Sequence, residues 1–250
     1  MDPHQRYWGP RRVNGQGRTG VLGGTFDPIH LGHIAVASAA RRALALDEVL
    51  LLPLRAPAHR PAQPDAGPVD RLAMATLAAQ GSGEPLRASN LELVRPGTTY
   101  TADTLRALHG TGLQPWQVYF LTGADAFAEI ATWREYPLLL DLAHFVVCGR
   151  PGYAVADLAA RLPALAPRML PTAALRARPV LARGLPTRIF LLHADTPDIS
   201  STAIRARARA GLPITDLVPP EVDQYIRQHG LYGAHAPVPD GRSAADDLHE

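Results

Sequence analysis

The sequence contains no lysine, because all 25 of its basic residues are arginine. A Walker-type phosphate loop, a Schiff base and a lysine-linked nucleotide each require a lysine amine, so these mechanisms are excluded. Arginine, histidine, hydroxyl groups and backbone N–H groups are left to bind any phosphate. Cys148 is the one cysteine, which excludes an internal disulfide and a zinc or iron–sulfur site built from several cysteines.

Long hydrophobic runs and an excess of charge are also lacking. No apolar run approaches the length of a membrane span, and Met1–Arg18 has no signal-peptide core. The net charge is only +2 and the basic residues are scattered, so we expect no nucleic-acid or membrane partner and a cytoplasmic location. With 250 residues and 46% hydrophobic content, the chain is long enough for one buried domain, expected at 19–233 between disordered tails at 1–18 and 234–250.

Short apolar runs alternate with helix-forming segments along the chain, which predicts an α/β fold with a Rossmann-like, doubly wound parallel sheet. The predicted strands are 19–23, 48–54, 117–122, 144–148 and 188–192, with short extended pieces near Leu86 and at 91–93. The predicted helices are 32–45, 70–80, 100–108, 199–211 and 220–228. A strand-to-loop junction is expected at 123–125, and no assignment is made for 153–185.

A glycine-rich turn joins the first strand to the first helix. Residues 23–33 read Gly-Gly-Thr-Phe-Asp-Pro-Ile-His-Leu-Gly-His. Glycines let the backbone approach a bulky anion, and a helix start supplies N–H groups that have no intrahelical partner. His30 and His33 are three residues apart, so they share a helix face. The simpler alternative is a tight turn, a helix capped by Asp27 with Pro28 in its first turn, and two surface histidines.

A second candidate anion site lies near the C-terminus. Ser200, Ser201 and Thr202 stand at a predicted helix start, and Arg205 follows one turn later. Hydroxyls beside unpaired N–H groups, with an arginine on the same face, can bind phosphate oxygens. The alternative is a serine cap on an exposed arginine-rich helix.

These two motifs together resemble the signatures of the nucleotidylyltransferase superfamily, whose members join a nucleoside phosphate to another phosphate and release pyrophosphate. The first is the Gly-Gly-Thr-Phe-Asp-Pro-Ile-His-x-Gly-His turn, and the C-terminal one is Ile-Ser-Ser-Thr-x-Ile-Arg at 199–205. Further blocks occur in order at 59–60, 100–105, 123–127, 132–133 and 148–152. Over roughly 19–232 the set resembles the bacterial nicotinate mononucleotide adenylyltransferases, and it departs from many of them at Ala58, where they have a second proline. The resemblance implies the HIGH-type nucleotidylyltransferase variant of the Rossmann-like fold.

The resemblance also implies roles for individual residues. The catalytic residues it implies are His30, His33 and Arg205. The ATP-binding residues it implies are Gly23, Gly24, Thr25, Phe26, Gly123, Asp125, Ser201, Thr202 and Ile204. The acceptor-binding residues it implies are His59, Arg60, Tyr100, Thr101, Trp133 and Arg150. Trp133 is expected to stack on the pyridine ring, with core packing as the alternative. The alternatives to acceptor binding are a core position for Tyr100 and a surface position for Arg150.

The reaction implied is the transfer of the adenylyl group of ATP to nicotinate mononucleotide, which forms nicotinate adenine dinucleotide and pyrophosphate. Mg²⁺ is expected to arrive on the triphosphate, with no metal site made of protein ligands alone. Three alternatives remain open from the residues: nicotinamide mononucleotide as the acceptor, a phosphopantetheine adenylyltransferase, and a non-catalytic nucleotide sensor. The sequence also leaves the oligomeric state open, a homo-oligomer included.

Overall fold

A computed structural model describes residues 17–55, 63–149, 155–174, 185–194 and 196–234. The strands are β1 Thr19–Gly24, β2 Glu48–Pro53, β3 Leu86–Ala88, β4 Val118–Gly123, β5 His144–Cys148, β6 Met169–Pro171 and β7 Ile189–Leu192. The helices are α1 Leu31–Leu44, α2 Pro68–Gly81, α3 Thr101–His109, α4 Ala124–Ala128, α5 Leu158–Arg161, α6 Ser201–Arg209 and α7 Pro220–Gln228. Short 3-10 turns lie at Pro115–Gln117, Ile130–Thr132, Leu138–Asp141, Val155–Asp157, Pro163–Arg168, Thr172–Ala174 and Leu231–Gly233.

The strands form one parallel sheet in the order β3-β2-β1-β4-β5-β7-β6. The chain moves from β1 outward through β2 and β3, then returns to the other side of β1 with β4. This reversal puts the topological switch point between β1 and β4, and such sheets bind ligands there, beyond the carboxyl ends of the strands. The α/β class and the doubly wound parallel sheet predicted from the sequence are confirmed.

Both faces of the sheet are buried, which explains why its strands read as continuous apolar runs. In β4, Leu121 packs into one core with α1, α2, α6 and α7, and its neighbour Phe120 packs into a second core with α3, α4 and α5. The first core also contains Ile204 of α6 and Val222 of α7, neither of which has any solvent exposure. The helices that carry the two predicted phosphate motifs therefore share one face of the sheet.

Four local predictions need correction. Residues 91–93 form a buried turn rather than a strand, because Val94 N–H bonds the carbonyl of Asn90. Residues 123–125 lead into α4 and not into a loop. The edge strand β6 was missed. Arg18 lies in the predicted N-terminal tail, but it is buried and donates to the carbonyl of Leu44 at 3.1 Å.

Several predictions lie outside the described residues, namely those for His59, Arg60, Arg150, residues 1–16 and residues 235–250. Within the part of the chain that the structure describes, no helix combines the length and the apolar composition that crossing a membrane requires.

Candidate nucleotide site

The turn after β1 has a strained and tightly packed backbone. A β-carbon on Gly24 would lie 2.6 Å from the ring of Phe26, so glycine is required there. Phe26 has a φ of 51°, a left-handed conformation that is unfavourable for a bulky residue. Its ring is nevertheless 1% exposed, and this burial offsets the strain. The turn is thereby fixed at the carboxyl end of β1, with Gly23, Gly24 and Thr25 half-buried and Phe26 buried.

The two histidines stack against each other at the start of α1. Their ring centroids are 3.7 Å apart, and the edge of the Phe26 ring packs 5.0 Å from His33. His30 is the N-cap residue of α1, and its backbone N–H donates to Nδ1 of His33 at 3.2 Å. Because Nδ1 accepts, a neutral His33 carries its proton on Nε2. The shared face expected from the three-residue spacing is present.

Asp27 is the centre of the buried polar contacts around this turn. It is 4% exposed, and its carboxylate accepts from the N–H groups of Asp65 and Ala66 at 2.8 and 3.0 Å. The hydroxyl of Tyr232 donates to the same carboxylate at 2.8 Å. Asp27 therefore does not cap α1, and the capping role considered above is wrong. It joins the turn to the segment after β2 and to the C-terminal end of the domain.

The start of α6 lies directly against the first turn. Ser201 donates its hydroxyl to the carbonyl of Pro28 at 2.9 Å, and Arg205 donates to the carbonyl of Asp27 at 2.7 Å. Nε of Arg205 is also 3.3 Å from the carboxylate of Asp65. Thus the structure brings the two predicted phosphate motifs together, although 173 residues separate Pro28 from Ser201.

The remaining predicted residues of α6 have different surroundings. Ser200 caps the helix by accepting from the N–H of Ala203 at 3.2 Å, and Thr202 is exposed at its first turn. Ile204 has no exposure, and its N–H bonds the carbonyl of Ser200. Its side chain is therefore part of the core, whereas Ser200 and Thr202 are exposed and Ser201 is partly exposed.

Two residues of this region, Arg71 and Tyr232, are not predicted from the sequence as part of the site. Arg71 of α2 is 1% exposed, and it donates to the carbonyls of Thr25 and Leu54 at 2.7 and 2.6 Å. Burial lowers the pKa of its guanidinium, and the negative charge of Asp27 opposes that shift. Burial, together with Asp27, raises the pKa of Tyr232 far above its usual value, so this hydroxyl stays protonated and acts as a donor. Neither residue belongs to a recognisable local motif.

The end of β4 faces the glycine turn across the switch point. β1 and β4 pair from Thr19 with Val118 to Leu22 with Leu121, so Gly24 and Gly123 end their strands at the same level. Asp125 follows in the first turn of α4 and is exposed.

Three of the predicted acceptor residues are described by the structure, and they lie near the start of α3, on the second face of the sheet. Tyr100 is the N-cap residue of α3 by position, without a side-chain cap bond, and Thr101 is the first helical residue. Trp133 is partly buried with its ring edge-on to Phe120, 6.3 Å between centroids. The guanidinium of Arg134 lies 4.8 Å from the centroid of the Tyr100 ring, which links the tyrosine and tryptophan segments.

An open cavity of about 500 Å³ lies between the end of β2 and the approach to α3. Its lining includes Arg55, Arg71 and Thr98. Arg55 also donates to the carbonyls of Leu93 and Arg95 at 3.1 and 3.3 Å. Arg55 is exposed and brings a positive charge to this space, whereas the guanidinium of Arg71 is buried and already donates to backbone carbonyls. The space lies at the carboxyl edge of the sheet, where open α/β sheets bind ligands.

A strained glycine turn, a pair of helix starts and a switch-point crevice define an α/β nucleotide-binding protein. Comparison with known proteins agrees. The cytidylyltransferase-like family model matches residues 21–207. A protein named probable nicotinate-nucleotide adenylyltransferase from Roseiflexus sp. (strain RS-1) is 43% identical over 213 residues, which is 85% of this chain and 96% of that protein. A protein of the same name from Desulfitobacterium hafniense (strain Y51) is 40% identical over 215 residues, which is 86% of this chain and 95% of that protein.

A solved structure supports the fold independently. The Plasmodium falciparum nicotinic acid mononucleotide adenylyltransferase complexed with NaAD superimposes with a TM-score of 0.63 at 19% identity, covering 87% of this chain and 98% of that one. The chain belongs to the cytidylyltransferase-like family and, within it, to the nicotinate-nucleotide adenylyltransferases. The family resemblance and the enzyme class expected from the sequence are confirmed.

Proposed function

We propose that this protein transfers the adenylyl group of ATP to nicotinate mononucleotide and releases pyrophosphate. The observation that carries the proposal is the contact between its two phosphate motifs, Ser201 Oγ to the carbonyl of Pro28 at 2.9 Å. Two helix starts placed together can hold one triphosphate from two sides. The relatives named above, about 40% identical over most of both chains, carry the name of this reaction.

The chemistry requires alignment and charge neutralisation more than proton transfer. The nucleophile is a phosphate monoester with a second pKa of about 6, so it is mostly ionised at neutral pH and needs no general base. The protein must place this oxygen in line with the α-phosphorus and stabilise the charge on the departing pyrophosphate. In the proposal, the backbone of 24–26 with His30 and His33 does this on one side, and Ser201 with Thr202 on the other.

Arg205, unlike the two histidines, is placed in the proposal mainly by its contacts with other parts of the protein. It is already bonded to the Asp27 carbonyl and lies beside Asp65, so its first role in the proposal is to hold α6 against the glycine turn. A direct contact between Arg205 and phosphate remains a prediction from the sequence.

The two nucleosides are proposed to lie on either side of the switch point. The ribose of ATP would meet Gly123 and Asp125 at the end of β4. The pyridine nucleotide would lie near Tyr100, Thr101 and Trp133, with its phosphate toward the arginine-lined cavity. The roles of His59, Arg60 and Arg150 stay predictions from the family resemblance.

The substrates are therefore ATP and nicotinate mononucleotide, both small molecules. We propose that Mg²⁺ enters bound to ATP, held by phosphate oxygens and water. The low net charge of +2 favours small-molecule partners over nucleic acid or membrane, and we propose that the reaction takes place in the cytoplasm.

The test is a pyrophosphate-release assay on the purified protein with ATP, Mg²⁺ and either nicotinate or nicotinamide mononucleotide. We expect rapid turnover on the acid, with one dinucleotide formed per pyrophosphate, and slower turnover on the amide. Faster turnover on the amide would reverse the assignment of the acceptor. Tight ATP binding with no turnover on either acceptor would favour the nucleotide-sensor alternative, and turnover on phosphopantetheine alone would favour the other adenylyltransferase.

A further inference from the structure

A buried carboxylate lies behind the start of α3. Glu92 is 3% exposed and belongs to the turn that follows β3. Thr104 of α3 has no exposure, and its hydroxyl donates to Oε1 of Glu92 at 2.6 Å. Oε2 of Glu92 is buried and has no hydrogen-bond partner among the described residues. The carboxylate is therefore held by the hydroxyl of Thr104, one helical turn after the two acceptor candidates, Tyr100 and Thr101.

The bond between Glu92 and Thr104 positions the first turn of α3 in particular. Thr104 donates both its N–H and, more weakly, its hydroxyl to the carbonyl of Tyr100, at 3.1 and 3.3 Å. The body of the helix is held separately, because Leu105 and Leu108 are buried in the core on that face. Glu92 thus acts on the end of α3 that carries the acceptor candidates.

The turn that carries Glu92 is anchored to the carboxyl edge of the sheet. Ser89 N–H bonds the carbonyl of Leu51 in β2 at 2.9 Å, and Arg55 bonds the carbonyls of Leu93 and Arg95. Glu92 therefore connects this edge to α3. Its burial is costly for the domain: desolvation raises the pKa of its carboxyl to about 7, against the opposing effects of Thr104, Arg95 and Thr99. Groups kept at such a cost are enriched near functional sites.

We propose that Glu92 is a positioning residue of the acceptor site, which acts through Thr104 to hold Tyr100 and Thr101 where the pyridine nucleotide binds. The inference rests on the proposed function. Glu92 itself does not touch the substrate. Loss of its bond to Thr104 should loosen the first turn of α3 while leaving the glycine turn and α6 unchanged.

The experiment compares Thr104→Val with Thr104→Ser in the full-length protein. Valine keeps the shape of threonine but removes the hydroxyl, whereas serine keeps the hydroxyl and removes a methyl group. KM for nicotinate mononucleotide and for ATP is measured for wild type and both variants by pyrophosphate release, and the thermal midpoint is recorded to show that each variant is folded. A hydrogen bond to a carboxylate is strong enough for an approximately tenfold effect.

We expect Thr104→Val to raise KM for nicotinate mononucleotide about tenfold, with KM for ATP unchanged, and Thr104→Ser to restore the wild-type value. An equal rise in both KM values, or a change in the thermal midpoint without any change in KM, overturns the inference and leaves the proposed function standing. A wild-type protein that releases no pyrophosphate overturns both. If Thr104→Val does not fold, Glu92→Leu replaces it, because leucine removes both acceptor oxygens, and the same selective rise in the acceptor KM is expected.

Discussion

Replacing Tyr232 by phenylalanine removes one hydroxyl from the buried contacts around Asp27. That carboxylate receives three donors, two backbone N–H groups and the tyrosine hydroxyl at 2.8 Å. Tyr232 and Asp27 are 7% and 4% exposed, so water does not readily replace the lost donor. A hydrogen bond to a charged group contributes about 1.5–3 kcal/mol, and we expect the Tyr232→Phe variant to lose about 2 kcal/mol of unfolding free energy.

Tyr225→Phe is the matched control, because its hydroxyl also donates to a carboxylate, that of Asp70 at 3.0 Å. Both groups of this control pair are only partly buried, so water can replace the lost bond and the cost should stay below about 1 kcal/mol. The assay is urea unfolding followed by tryptophan fluorescence. With a slope of about 2–3 kcal/mol/M, the Tyr232→Phe midpoint should fall by roughly 0.7–1 M with an unchanged slope.

The outcome that refutes this reasoning is a Tyr232→Phe midpoint no lower than that of Tyr225→Phe. It would mean that the hydrogen bond from Tyr232 to Asp27 does not contribute to the stability of the fold, and that the C-terminal turn only covers the glycine turn.

Three further predictions concern catalysis and pH. His33→Ala should lower kcat by about 100-fold or more, with an unchanged near-ultraviolet circular dichroism spectrum. The control His229→Ala, at an exposed position, should keep wild-type turnover. Near-normal turnover in the His33→Ala variant would remove His33 from the mechanism. Trp133→Ala should weaken binding of the pyridine nucleotide and spare ATP, and equal losses in isothermal titration would favour core packing. Because the pKa of Glu92 is raised from 4.5 to about 7, its protonation stabilises the fold fully below pH 4.5, and this stabilisation is lost as pH rises through 7. Wild type should therefore lose roughly 3 kcal/mol relative to Glu92→Gln between pH 4.5 and 7.5 in urea unfolding; parallel curves would contradict the burial argument.

The sheet could be predicted largely because its strands are buried on both faces. Continuous apolar runs such as 118–123 and 144–148 identify such strands without knowledge of their partners. The edge strand Met169–Pro171 has only three residues and contains a proline, so its apolar signal is weak, and pairing with β7 decides its conformation. The segment 91–93 looks extended in the sequence because its leucines are apolar. It forms a turn because Leu91 N–H donates to the hydroxyl of Ser89 and Val94 N–H donates to the carbonyl of Asn90.

The candidate site was predictable where its residues form local motifs. The glycine turn, the histidine pair and the serine-threonine helix start are each contiguous in sequence, and a family resemblance could link them. The contacts that join them are long-range: Tyr232 reaches Asp27 across 205 residues, and Arg71 of α2 reaches the carbonyl of Thr25 across 46. Such contacts follow from the packing of the whole domain, so no local sequence pattern predicts them.

Asp27 illustrates the difference most clearly. Its place before a proline and a helix suggested a cap, because acidic residues at that position commonly serve as one. The structure uses its carboxylate to hold the segment after β2 and the C-terminal tyrosine instead. The local rule failed here because the fold places donors from distant segments around this buried carboxylate, and buried polar groups are normally hydrogen-bonded.

The central claim is that one triphosphate is held between the glycine turn with its histidine pair and the start of α6. The most direct test is a crystal structure with a non-hydrolysable ATP analogue and Mg²⁺. The account predicts phosphate oxygens within hydrogen-bond distance of the 24–26 backbone or His33 on one side and of Ser201 or Thr202 on the other. A triphosphate bound elsewhere, or one that contacts only one of the two helix starts, would contradict it.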